Sequence, residues 1–357
     1  MVLAERAEPR TNVVFIAGDF TRPGEPVAPA TPAVLHPLKA RRTSAPPDRL
    51  DLAGWLVDPA NPLLSRVTVN RIWQHHFGRG LVETENDFGT QGTPPSHPEL
   101  LDWLAVEFAA PSARSGVLGR ASGDATPSPQ TPDAGPWSLK HLHRLIVTSA
   151  TYRQSSRARP DLAEKDPTNR LLARQNRLRL DAEIVRDVAL AASGTLNPAV
   201  GGPGVFPPQP DGVMALGQVK REWKSSAGPE RFRRGMYTFF WRATPHPALA
   251  VFDAPDAFSA CTRRLRSNTP LQALTLLNDA AFVELAEALA ARVGREAPPE
   301  RRLDHAFRLC LARPPQPAER ERLLALLDEE KRDHGEAAAW RTAARVLLNL
   351  DETITRE

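Results

Sequence analysis

Residues 269–294 read TPLQALTLLNDAAFVELAEALAARVG, and this stretch decides the fold class. Thr269 suits the N-cap of an α-helix, and Pro270 suits its first turn, where the missing amide hydrogen of proline costs nothing. Apolar side chains then recur at three- and four-residue steps up to Gly294, which is the spacing of one helical face. The stretch predicts a long amphipathic helix that must bury its apolar face against other helices.

Similar patterns occur along most of the chain. They predict a helical hairpin from Arg49 to Phe77 and single helices at about 97–108, 138–152, 180–194, 300–312, 317–333 and 336–350. The best strand candidate is the aromatic run FRRGMYTFFW at residues 232–241. We therefore predict a mainly α protein with two packed helical blocks, a Pro/Gly-rich middle segment containing short strands, and an extended N-terminal arm.

The composition changes along the chain and suggests four segments. Residues 1–48 are rich in proline and are predicted to be an extended arm, the tail of a preceding domain. The two helical blocks span residues 49–195 and 262–357, and the irregular segment with short strands spans residues 196–261. Residues 111–136, PSARSGVLGRASGDATPSPQTPDAGP, contain almost no large apolar side chains, and we predict that they form a disordered insertion in the first block.

The overall composition excludes several classes of protein. With 357 residues, 41% hydrophobic and 25% charged, the chain is typical of a globular protein of about two domains. The 46 basic residues are scattered among 42 acidic ones, so we expect no nucleic-acid partner. No run of apolar residues is long enough for a membrane span, and the first ten residues, MVLAERAEPR, do not form a signal peptide. Nucleotide-binding glycine motifs and the Gly-x-Ser-x-Gly hydrolase motif are also missing.

Cysteine and histidine are placed unfavourably for a metal or haem. The two cysteines, Cys261 and Cys310, are too few for a four-cysteine zinc site or for haem attachment. Adjacent histidines, such as His75 and His76, point about 100° apart on a helix and do not share a metal. We expect no metal and no cofactor in this chain. The cysteines are predicted to be two buried, inert thiols, with a single disulfide as the alternative for an exported protein.

The densest group of polar residues surrounds a glycine-rich loop at about residues 78–98. Asp87 and His97 are candidates for an acid–base pair, and Asn70, Arg71 and Trp73 are candidates for ligand binding at the same cleft. The structural alternative is that Asp87 caps the turn at Gly89. In that interpretation Ser96 and Glu99 form a capping box for the next helix.

A second polar group follows the aromatic run. His246 lies between two prolines and Asp253 is seven residues further on, a spacing that permits an imidazole–carboxylate pair. With Cys261 the two could in principle form a thiol nucleophile, and Arg242 is a candidate ligand-binding residue. The sequence alone does not bring these side chains together.

Several short motifs follow one another along the chain: Asn61–Leu63, Arg66–Trp73, Phe77–Val82, Asp87–Gly89, Pro95–Leu104, Ser149–Gln154, Arg179–Glu183, Phe252–Pro255, Asn268–Leu274 and Leu347–Glu352. In these motifs the chain resembles a planctomycete-specific C-terminal domain of unknown function. That domain is found downstream of cytochrome-c-like and companion domains in large exported proteins. The resemblance implies a periplasmic or cell-surface location, with the upstream cytochrome-c-like and companion domains as partners, and no established reaction.

Two functions follow as expectations. The first is a non-catalytic binding or scaffold module, because most of the motifs can be interpreted as caps, turns and helix faces. The alternative is a hydrolase or other enzyme acting on extracellular polysaccharide, with Asp87 and His97, or His246 and Asp253, as its catalytic residues. Whether the chain is an enzyme stays open from the sequence, and a polysaccharide is a candidate partner in either case.

Overall fold

A computed structural model of the protein describes residues 10–43, 45–111, 135–217 and 221–356. These residues contain eleven α-helices and two sheets of two short strands each, so the predicted mainly α fold is confirmed. The chain divides into two compact units. Unit 1 comprises residues up to 154 together with 162–173, and unit 2 comprises residues 155–161 and those from 174 onward.

Unit 1 begins with a β-hairpin and continues with helices. Its elements are β1 (Asn12–Phe15), β2 (Pro23–Val27), α1 (Arg49–Leu56), α2 (Leu64–Phe77), α3 (Pro98–Ala109) and α4 (Leu139–Thr148). Strand β1 pairs antiparallel with β2, with Asn12 opposite Val27. The predicted arm is thus partly a hairpin, in which proline is tolerated because each strand has an open edge.

The core of unit 1 lies where α2, α3 and α4 meet. Its largest buried side chains come from one face of each helix: Trp73, Phe77, Leu101, Leu104, Phe108, Leu142 and Ile146. The rings of Trp73 and Phe77 stack with their centroids 4.2 Å apart. Gly78 ends α2 in the left-handed conformation with φ 80°, as its position after the apolar stripe predicts.

The predicted disordered insertion falls mainly on residues 112–134, which lie outside the described residues. The segments before and after the insertion contact each other through Phe108 and Trp137. The amide of Trp137 donates a hydrogen bond of 2.8 Å to the carbonyl of Phe108, and the two rings make an edge-to-face contact at 5.2 Å. Ser138 then caps α4 by accepting from the His141 amide at 3.2 Å, as predicted. The end of α3 therefore lies next to the start of α4, although the insertion separates them in the sequence.

Unit 2 contains the remaining elements: β3 (Leu178–Arg179), α5 (Ala182–Ser193), α6 (Pro247–Val251), α7 (Pro270–Asn278), α8 (Ala280–Glu296), α9 (Arg302–Leu311), α10 (Pro317–His334), α11 (Glu336–Leu348) and β4 (Thr355–Arg356). Strand β3 pairs antiparallel with β4, so the end of the chain returns to the start of the unit. The core lies between α5, α8, α9 and α11, and it is formed by side chains such as Leu190, Leu285, Leu289, Phe307 and Leu347.

Helix α5 lies in a different part of the fold from the one that its position in the sequence predicts. The sequence predicts it at the end of the first helical block, 49–195, but Val185, Ala189 and Leu190 are buried in the core of unit 2. Periodicity shows which face of a helix is apolar and does not show which other helix covers that face. The boundary between the units consequently falls before α5.

The stretch at 269–294 forms two helices instead of one. Asp279 leaves the helical conformation, with φ −66° and ψ 132°, and its carboxylate accepts a hydrogen bond of 2.9 Å from the Ala281 amide. It is therefore the N-cap of α8, and α7 ends at Asn278. The pair Asn278 and Asp279 interrupts the apolar stripe, and aspartate is a preferred N-cap residue, so the sequence did carry this signal.

The aromatic run at residues 232–241 is not a strand, and that prediction is wrong. It forms a short 3₁₀-helix at Gly235–Tyr237 and makes two isolated bridges, Asn197 with Arg233 and Val205 with Thr238. Its rings pack locally instead, with Phe239 stacked on Phe206 at 4.9 Å. The amide of Gly235 in this turn donates to the Asp187 carboxylate at 2.6 Å, which ties the turn to α5.

Candidate functional site

Asn70 is completely buried in α2 and binds the backbone of the glycine-rich loop. Its Nδ2 donates to the Val82 carbonyl at 3.0 Å, and its Oδ1 accepts from the Val82 amide at 2.8 Å. A Cβ at Gly80 would lie 2.7 Å from the Asn70 side chain, so the loop passes close to the helix at that point. Both polar atoms of the Asn70 amide are therefore used to hold the loop.

Asp87 and His97, the first predicted acid–base pair, each bond to a neighbour in their own loop. Asp87 accepts from the Gly89 amide at 2.8 Å, which closes a local turn as the structural alternative predicts. His97 Nδ1 lies 2.9 Å from Ser96 Oγ. The two side chains are not brought together as a pair.

The predicted capping box of Ser96 and Glu99 does not form. His97 occupies the N-cap position of α3, and its side chain makes no capping hydrogen bond. The Ser96 amide donates instead to the Leu81 carbonyl at 2.8 Å, so Ser96 belongs to the loop. Pro98 does lie in the first turn of α3 as predicted.

The other two candidates in unit 1 point in different directions. Trp73 is 4% exposed and belongs to the core, so it does not form the wall of a cleft. Arg71 is exposed, and among the described residues it makes no ion pair with Asp87. Asn70, Arg71, Asp87 and His97 therefore do not converge on one cleft.

An open groove is instead lined by the same loop and by residues of α2 and α3. It has a volume of about 490 Å³. Its apolar floor is formed by Val82, Phe88 and Leu101, and prolines 94, 95 and 98 form one wall. Arg66 and Asp102 lie at its rim, where Arg66 Nε donates to the Asp102 carboxylate at 2.8 Å. The motifs contained these residues, but no local pattern links Arg66 in α2 with Asp102 in α3.

We expect removal of the His97 imidazole to have a small effect on stability. The side chain is half-buried and makes one hydrogen bond to a neighbouring side chain, so His97→Ala should lower the free energy of unfolding by less than about 1 kcal/mol. Thermal denaturation followed by circular dichroism measures this. A much larger loss would mean that His97 supports the loop in a way that these contacts do not explain.

His246 and Asp253, the second predicted pair, are also held apart by separate partners. His246 Nε2 lies 3.0 Å from the Pro208 carbonyl, and burial lowers the pKa of its imidazole. Asp253 has φ 61°, and its Oδ2 accepts from the amide and the hydroxyl of Ser267, both at 2.7 Å. Arg242 is exposed and its guanidinium lies 4.5 Å from the centre of the Phe258 ring. The proposed thiol nucleophile is therefore not assembled.

Cys261 and Cys310 are both free thiols, and only one of them is shielded. The prediction of two buried thiols is wrong for Cys261, which is exposed on a loop. Cys310 in α9 is half-buried and packs against the core. Burial raises the pKa of its thiol to about 12.

We expect one cysteine per chain to react rapidly with a thiol reagent. Only the thiolate is nucleophilic, so at about pH 8 Cys261 should react at once and Cys310 only after unfolding. A titration with Ellman's reagent, with and without denaturant, measures both phases. In Cys261→Ser the fast phase should disappear. A fast phase that persisted in this variant would contradict the assignment.

Two motif carboxylates at the beginning of α5, Asp181 and Glu183, form ion pairs with arginines that lie outside the motifs. Arg264 binds the Glu183 carboxylate through both terminal nitrogens, at 2.5 and 3.1 Å, and Arg266 lies 3.4 Å from Asp181. Gln272 is buried in α7 and donates to the Val251 carbonyl and to Ser267 Oγ, both at 3.1 Å. The ion pairs hold the segment between α6 and α7 against α5, and Gln272 holds α7 against α6. Both sets of contacts have a structural role.

Neither a metal centre nor a membrane span is evident in the described part of the chain. No group of three or more His, Cys, Asp or Glu side chains there is placed to hold a metal ion. None of the helices found there has both the length and the apolar composition needed to cross a bilayer.

Comparison with known proteins identifies one family. The model of the family described as PSD1, protein of unknown function (DUF1553), matches residues 48–120 and 132–327. The gap between the two matched stretches falls within the predicted insertion. No curated protein and no solved structure matches the chain.

Proposed function

The chain belongs to the PSD1 family of proteins of unknown function (DUF1553), and we propose that it is a non-catalytic binding or scaffold module. The proposal is based on the contacts of its own side chains. The module works within a larger exported protein, at the periplasm or cell surface, with cytochrome-c-like and companion domains as its partners. The resemblance of its motifs supports this setting, and the contacts of the candidate residues support the non-catalytic role.

The observation that carries the proposal is how the candidate catalytic side chains are used. Asp87 and Asp253 accept hydrogen bonds from the backbone next to them or from Ser267, and His246 bonds to a backbone carbonyl. An acid–base pair must place both of its groups on one substrate, but Asp87 and His97, and His246 and Asp253, are each held by separate partners. These side chains hold loops in place through their hydrogen bonds, and this role supports a binding function over a catalytic one.

The groove of unit 1 is the proposed binding surface, and its proposed ligand is a polysaccharide chain. Sugar rings present both apolar C–H faces and hydroxyl groups. The apolar floor of Val82, Phe88 and Leu101 suits the C–H faces. The charged rim of Arg66 and Asp102 suits the hydroxyl groups. The volume of about 490 Å³ is in the range of ligand sites, and the groove is open, as a polymer requires.

A blocking substitution tests this proposal. Thr90 is exposed, lines the groove and makes no side-chain hydrogen bond to the described residues, so Thr90→Trp fills the groove without removing a contact of the core. We expect Thr90→Trp to weaken retention on an insoluble polysaccharide by about tenfold or more, which corresponds to about 1.4 kcal/mol. Thr148→Trp, on the exposed side of α4, is the matched control and should bind normally.

The assay should use a panel of neutral and anionic polysaccharides and should also measure new reducing ends. We expect retention without cleavage. Equal retention of Thr90→Trp and the parent protein would overturn the groove as the binding surface. New reducing ends that are lost in His97→Ala or His246→Gln would overturn the non-catalytic role and favour the hydrolase.

A further inference from the structure

A small cavity in unit 2 is lined by three polar side chains within an apolar wall. Arg186 of α5, His246 and Thr238 contribute the polar groups, and the wall includes Leu249 and Phe282. The cavity has a volume of about 10 Å³, which is room for one water molecule. Each of the three side chains has one buried polar atom without a partner among the described residues: Arg186 Nε, His246 Nδ1 and Thr238 Oγ1.

Arg186 brings to this cavity a buried guanidinium that forms no salt bridge with the described residues, although the carboxylates of Asp187, Glu284 and Asp279 act on its charge from further away. It is 9% exposed and donates from Nη2 to the Arg231 carbonyl at 2.7 Å. Burial lowers the pKa of its guanidinium to about 10, so it remains charged at neutral pH. The nearby carboxylates have other partners: Asp187 accepts from the Gly235 amide, Glu284 from Arg231 and Asp279 from the Ala281 amide. A buried cation without an ion pair is costly, so an anion there would stabilise it.

The hydrogen bond of His246 to the Pro208 carbonyl determines which ring nitrogen carries the hydrogen and which one is available to a ligand. The Pro208 carbonyl can only accept, so Nε2 carries a hydrogen and donates to it at 3.0 Å. In the neutral ring Nδ1 is then an acceptor, and in the protonated ring it is a second donor. The charged groups that act on the imidazole are Arg186 from α5 and Asp279 at the start of α8.

Two helices also begin at this cavity. Ala182 in the first turn of α5 and Ala281 and Phe282 in the first turn of α8 line its wall. The beginning of a helix carries a partial positive charge, which favours an anion. This adds to the buried guanidinium of Arg186, which is the main source of positive potential.

We propose that this cavity binds one small monovalent anion of about the size of chloride. Arg186 Nε–H and the Thr238 hydroxyl donate to the anion. His246 takes up one proton from solvent when the anion enters, so that Nδ1 also becomes a donor. Anion binding therefore strengthens as the pH falls, and the neutral cavity accommodates water at higher pH. The site is independent of the groove in unit 1.

Line broadening of ³⁵Cl in NMR tests the proposal on the full chain. We expect saturable chloride broadening at about pH 5.5 that bromide competes away, and an affinity at least about tenfold lower at about pH 8, above the usual pKa of histidine. Thr238→Val removes one donor at nearly constant shape and should weaken chloride binding by about tenfold. Thr244→Val, at another buried threonine of unit 2 that does not line the cavity, should bind as the parent does.

His246→Gln separates proton uptake from anion binding. Glutamine can still donate to the Pro208 carbonyl but does not titrate, so chloride binding in this variant should no longer depend on pH. Circular dichroism confirms that each variant is folded. The absence of saturable broadening at about pH 5.5 would show that the cavity holds only water, and binding that is equal at both pH values in the parent protein would overturn the role of His246.

Discussion

Gly235→Ala is expected to lower the free energy of unfolding by about 3 kcal/mol, because the added methyl group has no space. A Cβ at this position would lie 2.5 Å from the carbonyl oxygen of Glu183 and 2.8 Å from its Cα. Both are backbone atoms of α5, so neither can rotate away. The Gly235 amide also bonds to Asp187 at 2.6 Å, which prevents the segment from moving back. Urea denaturation of the parent protein and the variant measures the difference.

Gly294→Ala is the matched control for this experiment. Gly294 lies in α8, and nothing lies within 4 Å of a Cβ built on it. Alanine favours helix over glycine by about 1 kcal/mol, so the same substitution should stabilise the protein here. Opposite signs for the two variants would support the close approach of Gly235 to α5. A loss below about 0.5 kcal/mol for Gly235→Ala would contradict it.

Asn70→Asp is expected to destabilise the protein by about 3 kcal/mol at neutral pH, although the side chain keeps its shape. The carboxylate can still accept from the Val82 amide, but it has no hydrogen to donate to the Val82 carbonyl 3.0 Å away. It would also be a charge without a cation at a completely buried position. Urea denaturation at several pH values measures the effect.

The pH dependence identifies the cause of that loss. Burial and the facing carbonyl raise the pKa of the introduced carboxyl above its unfolded value of about 3.9. The folded state therefore binds the proton first, and the stability of the variant should recover as the pH falls through the raised pKa. Asn70→Leu supplies neither donor nor acceptor and should be destabilised at every pH. A loss in Asn70→Asp that does not change with pH would contradict the hydrogen bonds to Val82.

Some local features of the fold could be predicted from the sequence, although the capping box at Ser96 and the strand at residues 232–241 do not form. Ser138 caps α4, Gly194 ends α5 in the left-handed conformation with φ 76°, and Pro270 begins α7. Each of these signals acts within about one turn of the chain, where residue type determines backbone geometry. The predicted fold class is confirmed for the same reason.

The long-range features could not be predicted. Asp253 is seven residues from His246, but its carboxylate binds Ser267, because the left-handed turn at Asp253 leads the chain elsewhere. The cavity at Arg186 combines residues from α5, the irregular segment and the start of α8, which no spacing in the sequence connects. Candidate sites chosen by closeness in the sequence therefore selected residues that stabilise turns.

If the groove in unit 1 binds a polysaccharide and the predicted catalytic residues only hold loops, a bound ligand should protect the groove and leave those residues unchanged. Hydrogen–deuterium exchange of the full chain, with and without a soluble oligomer of the retained polysaccharide, tests both parts. We expect slower exchange at residues 88–95 and 98–102, around the groove. Exchange unchanged there, and slowed instead around His246 and Asp253, would contradict it.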